Sequence, residues 1–278
     1  MGACVAVASI NFFAGFTASV FLQLKKQLRP GETIVQCVTD HQHDSALARE
    51  RLLKLLDRDP KPVALILVAL RPGADVITAF RAARAPIVII DEETEGASTV
   101  AADNVACGKL AAEHLLAAGR RSIAVVSGLS NQAGGYSALQ RQRGVRQALA
   151  EAGLELEAGN VLEVADYSHK DGVSAMNTLL DRQPRVDGVF CAAGDVTATG
   201  MLEAAEARRV AIPRELAIVG CDNLPCAAIS QPPLTTVEQP LEAMAREARR
   251  LAIEEHDSIL AKPRRVLLPP TVVRRHSA

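Results

Sequence analysis

Val63-Ala64-Leu65-Ile66-Leu67-Val68, then a helix-length stretch over 75–83, then Ile87-Val88-Ile89-Ile90: this part of the chain decides the fold class. Six apolar residues in a row, without polar alternation, suit a strand covered on both faces, which is the situation in a parallel sheet. A second such run after a helical crossover gives a βαβ unit. The same unit recurs on either side. Toward the N-terminus, 33–38 reads as a strand and 45–56 as an amphipathic helix carrying Leu47, Leu52, Leu55 and Leu56. Toward the C-terminus, helices over 106–117, 138–152, 172–180 and 198–207 alternate with strands over 123–127, 161–164, 188–191 and 216–220. That is too many strands for one sheet of ordinary width. The reading is α/β, two doubly wound parallel-sheet subdomains, with the first break near Ala102-Asp103.

The first 24 residues carry no charged side chain, and Lys25 and Lys26 follow directly. A membrane span with a basic stop is one reading of this pattern. Ser9, Asn11, Gly15, Thr17, Ser19 and Gln23 interrupt it, however, and it divides into an apolar strand over 3–8, a turn over 9–11 and a helix over 14–28. Phe16, Val20, Phe21 and Leu24 recur there at helical spacing. A buried strand feeding a helix is the better reading, and no membrane partner is expected.

Lys plus Arg number 31 against 32 Asp plus Glu in 278 residues, a formal charge of -1. That balance argues against nucleic-acid binding through the bulk field of this chain, which needs a basic face. Aromatic residues make up 3% and Trp is absent, so a site walled by stacked rings has little to draw on. Six cysteines are scattered without a CxxC, which suits free thiols in a reducing compartment.

In sheets of this kind sites lie at the carboxyl ends of strands. Ile90 is followed there by Asp91, Val126 by Ser127-Gly128, Cys191 by Gly194-Asp195 and Gly220 by Asp222-Asn223. The sequence has no GxSxG elbow, no phosphate loop, no HExxH and no paired His spacing. The expectation is binding rather than catalysis, with no catalytic residue, metal or cofactor.

Several segments then carry a resemblance covering nearly the whole chain. They include Asp103-Asn104 with Gly108, the stretch from Ala111 to Gly119, and Arg141-Gln142-Arg143-Gly144. Further on come Gly194-Asp195-Val196-Thr197-Ala198-Thr199-Gly200, and Ile212-Pro213 leading to Gly220-Cys221-Asp222-Asn223. Pro232-Pro233-Leu234-Thr235-Thr236-Val237-Glu238-Gln239-Pro240 closes the set, with the ending from Leu267 to Ser277. In this order and spacing they resemble the lactose-repressor (LacI/GalR) family of transcriptional regulators. The resemblance implies a periplasmic-binding-protein-like fold of two subdomains joined by three crossings: 1–102 with 241–266, and 103–240 with 267–278. It implies the effector-binding domain only, since the helix-turn-helix of full-length members has no counterpart in this sequence. Operator DNA would be reached only through that module. A homodimer, a cytoplasmic location and a small-molecule effector, a sugar or related polar metabolite, are implied as well. The alternative is a periplasmic solute-binding protein of a transport system, which shares the fold.

Family contacts transfer residue by residue. The resemblance makes Asp91 an acceptor of ligand hydroxyls and Arg141 a forked donor reaching the cleft. It gives Asp222 two ligand donors, puts Gln239 at a crossing on the rim, places Asn11 and Phe12 after the first strand, and makes Ser137 a weaker candidate one turn before Arg141. Asp195 is a ligand candidate too, though capping the following helix is its more ordinary role. Asp91 has a plainer reading as a solvated strand-end acid. Arg143 and Arg146 read as surface charges, and Tyr136 as loop packing. Two departures stand out. Gly194 occupies the place where the family has Asn, and one extra residue lies between Phe190 and Asp195. Together with a first loop, Ser9 to Gly15, more apolar than is common in the family, they suggest an effector less hydroxylated than a hexose, or one reached through water.

Overall fold

The structure, a computed structural model, describes residues 3–10, 12, 15–39, 45–129, 135–182, 185–258 and 262–278. The chain divides into two compact units, Met1–Ala102 with Pro240–Leu268, and Asp103–Gln239 with Pro269–Ala278.

Unit 1 begins with β1 (Cys4–Ser9) and α1 (Gly15–Lys26), so the uncharged start is a strand and a helix. Then come β2 (Thr33–Val38), α2 (Ala46–Lys54), β3 (Ala64–Val68), α3 (Ala74–Ala82), β4 (Ile87–Ile90) and β5 (Ser98–Ala102). Unit 2 holds α4 (Asn104–Ala117), β6 (Ile123–Gly128), α5 (Tyr136–Glu151), β7 (Val161–Val164), α6 (His169–Leu180) and β8 (Gly188–Cys191). It continues with α7 (Asp195–Ala207), β9 (Ala217–Cys221), α8 (Pro225–Ile229) and β10 (Thr235–Glu238). The chain then adds α9 (Leu241–Asp257) and β11 (Arg265–Leu268) to unit 1 and β12 (Thr271–Val273) to unit 2.

Each unit has one six-stranded sheet, in the orders β11-β5-β4-β3-β1-β2 and β12-β10-β9-β8-β6-β7. The described pairings are parallel except β10 with β12. Both orders run second-first-third, so both sheets have a switch point beside their first strand, where crevices form outside the carboxyl ends. The expected boundaries after 240 and 266 shift by one and two residues, to Gln239/Pro240 and Leu268/Pro269. The reason is the register of β11, whose Leu267 and Leu268 pair with Ala101 and Ala102 of β5 and so belong to unit 1.

Local chemistry accounts for the helix starts. Ser45 caps α2 by accepting from the Ala48 amide at 3.0 Å, and Asp103 caps α4 by accepting from Ala106 at 3.0 Å. Ser168 and Asp171 form a capping box at α6, which His169 opens. β3 and β4 are buried at every position, as their unbroken apolar runs require. In unit 2, α6 and α7 bury their apolar stripes with Ala124, Val126, Val189, Cys191 and Ile218, alternate residues on one face of the sheet. α4 packs over β8, β9 and β10. Among the described residues no helix is long and apolar enough to cross a membrane.

Candidate functional site

In unit 2 the carboxyl ends of β8, β9 and β10, the first turn of α4 and the second turn of α5 supply a group of buried polar side chains. Arg141, on α5, is 6% exposed. Its Nε donates to Asn104 Oδ1 at 2.8 Å and its Nη1 to the Ala192 carbonyl at 2.8 Å, tying α4 to the turn after β8. An arginine held at two points before any ligand arrives loses little rotamer freedom on binding. Asn104 was quoted in the sequence only for the family resemblance and not as a site residue; its signal was its place directly after the cap Asp103.

Asp222 follows β9 with φ +107 and Asn223 with φ +57, two left-handed residues in succession without glycine. The Asp222 amide donates to Val237 O at 2.8 Å, and Gln239 Nε2 donates to Asp222 Oδ1 at 2.6 Å. Gln239 is 2% exposed, and its Oε1 has no partner. With the amide nitrogen committed to Asp222, that oxygen is an acceptor awaiting a donor. Asn223 Nδ2 donates to Glu238 at 3.0 Å, while its Oδ1 accepts from Arg275 at 2.7 Å.

Asp195 corrects one expectation. Gly194, at φ +102, stands at the N-cap of α7, and no side chain caps that helix. The Asp195 carboxyl is wholly buried and accepts from the Leu224 amide and the Thr236 hydroxyl, both at 2.7 Å. It fastens the turn after β9 to β10 instead of capping its own helix. Burial first, and the neighbouring charge of Asp222 second, push this carboxyl up to about 8. The departure at Gly194 belongs to the same geometry. A Cβ there would lie 2.9 Å from Asp222 Oδ2, on a backbone that side chains rarely adopt.

Ser137 is half-buried in the first turn of α5. Arg143 and Arg146 lie exposed on the same helix, as surface charges do. Tyr136, half-buried, opens it. Tyr167 is a residue that sequence reasoning missed. It follows β7 at φ +54, is 45% exposed, and sets its hydroxyl against Gly128 at the end of β6. Its signal was an aromatic residue just past a strand end, in a chain with only two Tyr.

In unit 1, Asp91 ends β4 at φ +63, is 6% exposed, and donates its amide to Val100 O at 3.0 Å. Phe12 is half-exposed, with its ring centroid 4.8 Å from that of Phe21 on α1. Asn11 lies outside the described residues. All six cysteines are free. Burial raises the Cys191 thiol, and the hydrogen bond to Cys107 and burial raise that of Cys221, so both stay protonated beside Arg141. Among the described residues no group of three or more His, Cys, Asp or Glu could hold a metal ion.

Residues 112–278 match the sequence model of the periplasmic binding protein-like domain. The HTH-type transcriptional regulator CelR of Thermobifida fusca is 36% identical over 183 residues, 66% of this chain and 52% of that protein. The ribose operon repressor of Halalkalibacterium halodurans is 29% identical over 248 residues, 89% of this chain and 70% of that one. The chain thus spans about half the length of CelR. Among solved structures, a complex of the regulator CelR with cellobiose has a TM-score of 0.84 at 29% identity, covering 99% of this chain and 84% of that one.

Proposed function

The chain belongs to the periplasmic binding protein-like domain family, in its lactose-repressor branch, and from that premise we propose that it is the effector-binding part of a transcriptional regulator. A small polar metabolite, a sugar or a related compound, binds at the carboxyl ends of the strands of unit 2. Arg141 and Asp222 offer it opposite charges, Gln239 an acceptor, and Tyr167 an aromatic face. Ser137 contributes from α5. The observation that supports this reading is the set of Arg141 on α5 and Asp222 and Gln239 at neighbouring strand ends, buried and already hydrogen-bonded, with Gln239 Oε1 left unpartnered. Few precisely held polar groups among apolar ones are what small-ligand sites use.

Binding without turnover is expected, since the curated relatives are regulators. With Gly194 where the family has an amide, the effector is less hydroxylated than a hexose or met through water. In the whole protein, a cytoplasmic homodimer, effector binding alters operator binding by a helix-turn-helix module.

Calorimetric titration with cellobiose, ribose, purines and small carboxylic acids tests the site. Asp222→Asn and Arg141→Ala should each weaken binding by roughly tenfold to a hundredfold, the usual effect of losing a charge-assisted hydrogen bond. Unchanged affinity in both variants would remove the assignment, and tight binding of an unmodified hexose would remove the less-hydroxylated class. Gel-shift of the full-length regulator with and without the effector tests the link to DNA.

A further inference from the structure

Asp195 is a carboxyl group that recognition of a ligand does not explain, because it is wholly buried and both its oxygens are engaged within the protein. What it holds is the segment after β9. The φ of +107 at Asp222 lies beyond the ordinary left-handed basin, and such a backbone persists only where its surroundings over-determine it. Asp195 provides part of that harness through the Leu224 amide and through Thr236, whose hydroxyl also faces the Asn223 amide at 3.4 Å.

The two carboxyl groups are close neighbours. Gly194 directly precedes Asp195, and the position of a Cβ on it is 2.9 Å from Asp222 Oδ2. Two like charges in a buried site do not both ionise cheaply. The donors decide which of them keeps its proton. Asp222 accepts from an amide NH2 of Gln239, a group that gives the carboxylate a donor in any orientation. One partner of Asp195 is a hydroxyl, which can turn and accept. A protonated Asp195 therefore keeps both contacts, accepting from Leu224 at Oδ2 and donating to Thr236 at Oδ1.

The other groups facing this site fit that assignment. Arg275, from the tail after β12, favours the anion, but its guanidinium is bonded to Asn223 Oδ1 and Leu234 O. Arg141, on α5, is bonded to Asn104 and Ala192. β8 and α8 bring the thiols of Cys191 and Cys226, which stay neutral. On α6, which packs along α7, His169 pairs with Glu203 and Asp171 turns to the Ser168 cap.

We propose that Asp195 is a positioning residue that carries a proton in the resting protein and, as a neutral acid, holds the strained Asp222–Asn223 turn beside the single negative charge of Asp222. Raising the pH through about 8 releases that proton to solvent, puts a second charge against Asp222 and loosens the turn. The value of Asp222 to an effector rests on the reading above; the proton on Asp195 does not.

Infrared spectroscopy of the whole chain without any ligand tests it. Near pH 6 the C=O stretch of one protonated carboxylic acid should be present, fade with a midpoint near 8, and be absent in Asp195→Asn. Asparagine imitates the neutral acid and does not titrate, so at neutral pH Asp195→Asn should melt above the wild type while Asp195→Ala melts below Asp195→Asn. No protonated-acid band near neutral pH, or a band that survives in Asp195→Asn, overturns the proposal. Should the variants not fold, carboxyl-carbon NMR of the wild type with labelled aspartate decides. One aspartate titrating near 8 supports it, and all titrating in the ordinary acid range overturns it. No effector is used, so failure here leaves the binding reading standing, and failure of that reading leaves this one.

Discussion

Asp195, Gly194 and Asp222 are three residues whose roles are set by one another. A folded-state pKa of about 8 at Asp195 means that, between the usual acid range near 4 and about 8, the unfolded chain gives up this proton while the folded one keeps it. The contribution of Asp195 to stability therefore declines as pH rises across that window and levels off above it. Asp195→Asn, which does not titrate, should gain on the wild type by something on the order of 1 kcal/mol per pH unit over the window. The difference in unfolding free energy between the two proteins at several pH values checks this; a difference independent of pH rules it out. Gly194→Ala adds a Cβ against Asp222 Oδ2 at an unfavourable φ, so it should weaken effector binding more than it lowers the melting temperature. The reverse pattern in calorimetry and thermal unfolding would mean that Gly194 matters only to the fold. Asp222 and Arg141 were legible as candidates because charged residues directly after apolar runs stand out. The network that sets them was not, since Asn104, Thr236 and Arg275 lie 37, 41 and 52 positions from the groups they bond and nothing local marks such pairs.

At the scale of elements, α4 and α5 pack through glycines. A Cβ on Gly144 would lie 1.9 Å from Val105 O, and one on Gly108 would lie 1.9 Å from Arg141 O. The two backbones thus approach closely at the turn of α5 that carries Arg141. Gly144→Ala should cost about 2 kcal/mol as the helices are forced apart, and it should also weaken effector binding by moving Arg141; urea unfolding and calorimetry read the two effects separately. Elements rich in large apolar residues, such as β3, β4 and β8, were legible from sequence. β5, β10 and α9 were not. β5 reads Ser-Thr-Val-Ala-Ala and β10 Thr-Thr-Val-Glu, yet most of their residues are buried. Ser98 is bonded to Glu255 and to the Arg264 amide, and Thr235 to the Arg275 amide, so their hydroxyls are satisfied where a sequence reading expects water. The buried seam of α9 is Met244, Ala245, Ala248, Leu251 and Ala252, mostly alanine, which is too weakly apolar to announce a core face.

Over the whole molecule, each unit is completed by chain from beyond its own main segment. The tail is the clearest case. Ser277 is wholly buried, its hydroxyl donating to Ile218 O at 2.6 Å and accepting from the Thr235 amide at 2.8 Å, between β9 and β10. Ser277→Ala leaves a buried amide without its acceptor and should destabilise unit 2 by about 1–3 kcal/mol, measured by urea unfolding. Deleting residues 269–278 removes β12 as well and should do more. Such dependence of a fold on its last residues is invisible to any window of sequence, because the partners lie 59 and 42 positions away. By itself the sequence determined the α/β class, the number of units, the first crossing and the strand-end acids. Those are properties of local periodicity and of residue type at the ends of apolar runs. Only the tertiary structure decided that Asp195 binds the turn after β9 rather than its own helix, that two non-glycine residues there are left-handed, and that Arg141 is anchored at two points. The reason is physical: hydrogen bonds between buried groups depend on which strand ends and helix turns the fold brings within 3 Å, and that is fixed by packing over the whole unit.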